Sequence, residues 1–101
     1  MTPRRSLIVA AAAQRDLREI FRHSAKRWGE AQRAAYAASL DQALARLAEF
    51  PELGRGRDEI RRGLRSHPVR EHVVLYLTEA DAIVVLRVIH ARMDMPNRFD
   101  P

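Results

Sequence analysis

The chain has 101 residues, a formal net charge of +5 and no cysteine, and 47% of its residues are apolar against 31% charged. Such a chain is long enough for one hydrophobic core, so we expect a single domain over residues 1–101, and without cysteine it forms neither a disulfide nor a thiolate metal site. The basic balance favours a nucleic acid or an acidic protein as partner, without choosing between them.

The N-terminal segment MTPRRSLIVAAAA combines two arginines with an apolar run, as secretion signals do. The run from Leu7 to Ala13 is at the short limit for a signal, however, and the charged segment QRDLRE follows at once. No apolar stretch approaches the ~20 residues that cross a bilayer. We therefore expect a cytoplasmic protein, and we interpret residues 5–10 as a first strand because their apolar run is too short for a helix.

Two helices are predicted next. The first ends at Gly29, since glycine adopts the left-handed conformation easily, and the second covers residues 30–50, since Pro51 disfavours helical geometry in the residue before it. Because almost nothing joins them, the helices must fold back as an antiparallel hairpin. Apolar stripes at helical spacing predict their buried faces. The stripes are Ala13, Leu17, Ile20, Phe21, Ser24 and Trp28 on the first helix and Tyr36, Leu40, Ala43, Leu44, Leu47 and Phe50 on the second.

Strand patterns follow a long polar loop over residues 51–63. A short strand is predicted at 64–68, and two strongly apolar strands at 72–78 and 83–90 flank a tight turn and pair as an antiparallel hairpin. The predicted order is β-α-α-β-β-β. The fold class is therefore α+β, a helical hairpin packed on a small, mainly antiparallel sheet.

Arg87 interrupts the strand IVVLRVI, which is otherwise apolar. A charge at such a position must be paired or must emerge on an open face. By the period-two alternation of a strand, Arg87 shares a face with Val85 and Ile89. A binding role and a structural ion pair with an acid on the helices explain this residue equally well.

His90 and Arg92 lie two residues apart at the end of the same strand, so their side chains point the same way. Such a pair suits phosphate or carboxylate binding, although Arg92 and Asp94 are equally placed to pair with each other. Arg65 stands out from the arginines around it because it sits on a strand. We predict no catalytic residue and no cofactor. We also predict no metal site, because the four histidines are poorly grouped for a metal.

Four segments carry a resemblance to a known family. AAAQRDLREIFRHSAKRWGEAQRAAY, LARLAEFPELGR, RRGLRSHPVREHVVLY and IVVLRVIHARMD resemble, in order and spacing, the ParE toxins of type II toxin–antitoxin modules. The resemblance spans roughly residues 7–94 and implies the RelE/ParE-like fold. It also implies a ParD-like antitoxin that wraps the toxin, and it is this antitoxin that contacts operator DNA. The implied target of the toxin is DNA gyrase. On this basis Arg65, Arg87, His90 and Arg92 are predicted to bind target or antitoxin.

Two alternatives remain within the same superfamily. RelE toxins cut mRNA in the ribosome by acid–base chemistry that uses basic residues and a C-terminal Tyr or His. This chain has no lysine after Lys26 and no tyrosine after Tyr76, so we favour the ParE type, although Arg65, Arg87 and His90 are positioned to serve in part. The third possibility is an inactive member that only binds its antitoxin as a corepressor.

Overall fold

The computed structural model of the chain describes residues 5–92. It is an α+β structure in which two long helices cover one face of a five-stranded sheet, so the predicted fold class is confirmed. None of the helices in this range is long and apolar enough to cross a membrane. In chain order the elements are β1 (Ser6–Val9), α1 (Ala11–Trp28), α2 (Glu30–Glu49), a 3-10 turn (Pro51–Leu53), β2 (Arg55–Gly56), β3 (Arg65–Val69), β4 (His72–Thr78) and β5 (Ala82–His90).

The sheet has the strand order β1-β5-β4-β3-β2. β1 runs parallel to β5, with Val9 opposite Val85, and every other neighbouring pair is antiparallel. The two most apolar strands, β4 and β5, thus occupy interior positions, as their composition predicts. β2 is a difference from the sequence prediction: two residues of the predicted loop pair with the start of β3 and add a short edge strand.

The helical hairpin turns at a single residue. Gly29 has a φ of 95°, a conformation that glycine adopts without a Cβ clash, and its N–H donates to the carbonyl of Ala25 at 3.0 Å. α1 and α2 also contact each other, as the predicted antiparallel hairpin requires.

The main core lies between the helices and the sheet. Leu40, Leu44 and Leu47 of α2 are buried in it, while Leu17 and Ile20 of α1 are partly buried at its margin. The predicted burial of Trp28 and of Phe50 is wrong, since each is 53% exposed. Trp28 is the last residue of α1 and Phe50 directly follows the last residue of α2, so both stand at C-terminal helix ends.

A second, smaller core lies on the other face of the sheet. There Leu64 packs with Leu75 and Ile89, and Ile60 from the loop before β3 packs against them. This loop therefore covers the sheet face that the helices leave open, which its polar sequence did not indicate.

A bulge in β5 changes which side chains face the helices. Leu75 of β4 pairs with Arg87 and Tyr76 pairs with Val85, so Leu86 is an extra residue on β5. Val85 consequently belongs to the main core and Ile89 to the second core. The predicted sharing of one face by Val85, Arg87 and Ile89 is therefore wrong, because period-two alternation ends at the bulge.

Candidate binding groove

A groove with a volume of about 310 Å³ opens between α1 and the ends of β4 and β5. Its apolar lining comes from Ile20, Trp28, Val88 and Ile89. Its polar lining consists of Asp16, Glu19, His23, Ser24, Tyr36, Glu71, His72, Arg87 and His90. A concave surface in which apolar side chains and convergent polar groups meet is typical of binding sites.

Arg87 enters the groove already paired. Its Nε donates to Oδ2 of Asp16 at 2.7 Å and its Nη2 donates to Oδ1 at 3.0 Å. The backbone N–H of Val88 donates to the same Oδ2 at 2.9 Å. Asp16 thus binds both the arginine and the backbone beside the bulge, which explains how a charge is accommodated in an apolar strand.

Two histidines lie opposite each other where β4 begins and β5 ends. His72 and His90 are register partners, and their ring centroids are 5.4 Å apart. The Nδ1 of His72 forms a hydrogen bond with the hydroxyl of Tyr36, whose oxygen lies 3.2 Å from the carbonyl of Val69. Nδ1 of His90 accepts a hydrogen bond from the backbone N–H of Arg92 at 3.1 Å, so Nε2 of a neutral His90 carries the proton.

The surroundings of His72 and Tyr36 shift the pKa values of both side chains. Burial lowers the pKa of His72 below its ordinary value, and the neighbouring His90 lowers that pKa further, against the opposite effect of Glu71 and Asp16. Burial raises the pKa of Tyr36, with Glu71 adding to the increase. The groove therefore favours neutral forms of both side chains near neutral pH.

Ser24 adds an unsatisfied polar atom to the groove. Its side chain is buried, and its Oγ has no hydrogen-bond partner within residues 5–92. On the rim, Trp28 is exposed and lies edge-on to His23, with the guanidinium of Arg27 5.2 Å from its ring centroid. An open aromatic ring beside a buried, unpaired hydroxyl is suited to a partner that brings both an apolar side chain and a polar group.

The structure brings together only part of the predicted patch. Arg87 and His90 line the groove, and Arg92 lies next to His90. Arg65 stands apart, at the far end of β3, where its Nη1 donates to the carbonyl of Gly54 at 2.7 Å and binds the segment before β2. Asp94 lies outside the described residues, so its alternative pairing with Arg92 stays a prediction.

Sequence reasoning missed several residues of the groove, chiefly Asp16, Ser24 and Tyr36. Asp16 stands among many charged residues of α1, and no sequence pattern indicates that it lies beside a bulge. No three His, Asp or Glu side chains in residues 5–92 are placed to hold a metal ion.

Solved structures with the same arrangement of helices and strands define the class of fold. The toxin–antitoxin complex RelBE2 from Mycobacterium tuberculosis matches with a TM-score of 0.63 and 22% identity over 87% of this chain and 99% of the other. The chromosomal ParDE toxin–antitoxin system from P. aeruginosa matches with a TM-score of 0.73 and 19% identity over 85% and 95%. The fold is thus that of the RelE/ParE-like toxins.

Sequence comparison then assigns the family within that class. The family model of the ParE toxin of the type II toxin–antitoxin system parDE matches residues 7–95. Toxin ParE1 of Mycobacterium tuberculosis is 39% identical over 87% of this chain and 91% of its own length, and Toxin ParE of Escherichia coli is 36% identical over 91% and 90%. Toxin ParE3 of Caulobacter vibrioides is 34% identical over 79% and 80%. The chain belongs to the ParE toxin family of type II toxin–antitoxin modules.

Proposed function

We propose that this toxin acts on DNA gyrase in the cytoplasm and that a ParD-like antitoxin neutralises it. The observation that carries the proposal is that charged and titratable side chains of the groove already form hydrogen bonds within the protein. Asp16 binds Arg87, the Arg92 backbone binds His90 and Tyr36 binds His72. Groups held in this way form a rigid recognition surface, whereas proton transfer to a scissile phosphate needs groups free to reach it within ~3 Å.

Arg87, His90 and Arg92 form the proposed contact patch for target or antitoxin. Arg87 and His90 line the groove, and Arg92 is exposed beside His90. The antitoxin segment proposed for this surface is an amphipathic helix with an extended piece, rich in acidic and apolar residues, because the toxin carries a net charge of +5. A wrapping segment must offset its own ordering, so the interface should bury well over ~1,600 Å². Arg65 stays a predicted contact residue, on a separate surface.

One observation favours a second candidate function, mRNA cleavage of the RelE type. His72 and His90 stand with ring centroids 5.4 Å apart in the groove, and paired titratable groups are what acid–base cleavage requires. The sequence alone did not indicate that a second histidine, His72, lies beside His90. We rank it below gyrase inhibition because one nitrogen of each ring is already engaged.

The test uses purified toxin in two parallel reactions, one with gyrase and supercoiled DNA and one with translating ribosomes. The expected result is linear DNA that appears only when gyrase is present. His90→Ala should leave the fold intact and reduce toxicity modestly, because the His90 ring accepts its hydrogen bond from the backbone two residues further on. Codon-phased mRNA cuts that vanish in His90→Ala would overturn the proposal. Growth without harm on expression would instead identify an inactive corepressor.

The antitoxin is tested separately, by co-expression of the toxin with the neighbouring short gene of its operon. We expect a small acidic protein to co-purify and to restore growth. Failure of any such partner to bind would remove the antitoxin part of the proposal, without affecting the gyrase assay.

A further inference from the structure

The segment from the start of β2 to the first residue of β3, residues 55–65, carries a large share of the toxin's positive charge. It contains five arginines and two carboxylates, a net charge of +3 within 11 residues, while the whole chain has +5. We call this segment the basic hairpin. It forms the sheet edge opposite β1, and its loop lies on the sheet face that the helices leave open.

Both acidic side chains of the basic hairpin are already engaged. Oδ1 of Asp58 accepts a hydrogen bond from the backbone N–H of Gly63 at 2.8 Å, which closes the loop. Glu59 forms an ion pair with Arg57 at 3.6 Å. Neither of these two carboxylates forms an ion pair with Arg55, Arg61 or Arg62.

Three exposed arginines form the outward charge of the basic hairpin. Arg55, Arg61 and Arg62 are exposed, and no side chain in the described range 5–92 forms an ion pair with any of them. Arg57 and Arg65, by contrast, have their guanidinium groups directed to partners at Ser66 and Gly54.

Backbone hydrogen bonds and core packing hold the basic hairpin in place. The N–H of Arg57 donates to the carbonyl of Leu64 at 2.7 Å, and that of Ile60 donates to the carbonyl of Arg57 at 3.0 Å. Leu64 is fully buried in the second core. The exposed arginines thus project from a backbone that is fixed from beneath, so binding through them requires little ordering of the chain.

We infer that the basic hairpin binds the phosphate backbone of duplex DNA. Planar guanidinium groups match phosphate oxygens, and charges spread along a hairpin suit a line of anions better than one convergent site. The choice of DNA over other polyanions rests on the proposed action at gyrase, which itself holds duplex DNA. Because the groove lies at the helical face and the basic hairpin on the opposite one, one toxin molecule can engage a protein and DNA together.

The experiment titrates a fluorescent, random-sequence DNA duplex with the full-length toxin over a range of salt concentrations, in the absence of gyrase. The variant Arg55→Gln/Arg61→Gln/Arg62→Gln removes the three outward charges. Each lost phosphate contact reduces the magnitude of the negative slope of log affinity against log salt by ~0.9, so this magnitude should fall by about 2.7. The ratio of wild-type to variant affinity for the duplex should then fall roughly 40-fold between about 50 and 200 mM salt.

The matched control is Arg15→Gln/Arg18→Gln/Lys26→Gln, which removes three exposed charges from α1. It should keep the wild-type slope, and circular dichroism should show that both variants fold. Equal losses in the two variants, no measurable duplex binding by the wild type, or tighter binding to single-stranded RNA than to duplex would each overturn the inference. Since the titration contains no gyrase, the gyrase cleavage assay reports on the proposed target independently.

Discussion

Arg87 on the interior strand β5 and Asp16 on the first helix form a two-pronged ion pair across 71 positions of sequence. Asp16 also accepts the N–H of Val88, so this carboxylate joins α1 to β5 beside the bulge. The side chains are 22% and 16% exposed, which places the pair between surface and interior. The pair lines the groove and also connects α1 to β5.

The first prediction concerns the stability contribution of this pair. Arg87→Ala leaves Asp16 with an unpaired charge in a largely enclosed site, and we expect unfolding free energy to fall by roughly 2–3 kcal/mol, below the ~3–5 kcal/mol for fully buried pairs. Arg22→Ala is the control, because its ion pair with Glu19 is mostly exposed and should contribute at most ~1 kcal/mol. Chemical denaturation measures both. Equal, small losses would mean that Asp16 is solvated without its partner.

The second prediction separates the two kinds of apolar residue in the helical stripes. Leu44→Ala opens a cavity in the main core and should cost ~2–5 kcal/mol. Trp28→Ala removes a ring that is half exposed, so stability should change by less than about 1 kcal/mol. If the groove binds the antitoxin, Trp28→Ala should weaken that complex while Leu44→Ala acts through folding. A large loss of stability in Trp28→Ala would contradict the assignment of Trp28 to the groove rim.

The third prediction compares two glycines of the segment before β3. A Cβ on Gly54 would lie 2.5 Å from the hydroxyl of Tyr76 and 3.0 Å from the carbonyl of Ser66, whereas one on Gly56 meets nothing within 4 Å. The Tyr76 hydroxyl is fixed, because it donates to Pro51 and accepts from the Gly54 N–H. Gly54→Ala should therefore cost ~1–3 kcal/mol.

Gly56→Ala is the matched control and should leave the melting temperature unchanged or slightly higher, since it restricts the unfolded chain without a clash. Thermal unfolding of the two variants decides the point. Similar melting temperatures for both would show that the Tyr76 ring moves to make room.

The fourth prediction is a pH dependence of stability from His72. Its pKa in the folded protein is lowered, chiefly by burial and then by His90, so the unfolded chain takes up this proton first as the pH falls through about 6.5. The free energy of unfolding should be highest above pH ~6.5 and should fall as the pH drops from there towards the folded pKa. Facing His72 are His90 from β5, His23 and Asp16 from α1, Glu71 from the β3–β4 turn, and Tyr36 from α2.

His72→Asn isolates this effect, because an amide can replace Nδ1 as the partner of Tyr36 without titrating. The slope of stability against pH below ~6.5 should flatten in this variant and persist in Tyr36→Phe, which keeps the histidine. His67, whose pKa burial also lowers, should supply the part of the slope that remains. An unchanged slope in His72→Asn would refute the assignment.

Sequence alone determined the architecture of this protein. The 3.6-residue stripes, Gly29 and Pro51 defined the helical hairpin, and the apolar runs of β4 and β5 placed those strands inside the sheet, because local periodicity and turn chemistry act over a few residues. The ordered motifs identified the family. Arg87 was recognised as a charge that needs a partner, though its partner remained open.

Only the tertiary structure decided which residues share the groove. The bulge at Leu86 reverses the alternation of β5, so no periodic pattern predicts that Arg87 meets Asp16 or that Ile89 faces the second core. Likewise, Trp28 continues a buried stripe but is exposed on the groove rim, and Arg65, predicted for the same patch as Arg87, lies outside the groove beside Gly54. These facts depend on register and on contacts between elements distant in sequence, which a local pattern does not contain.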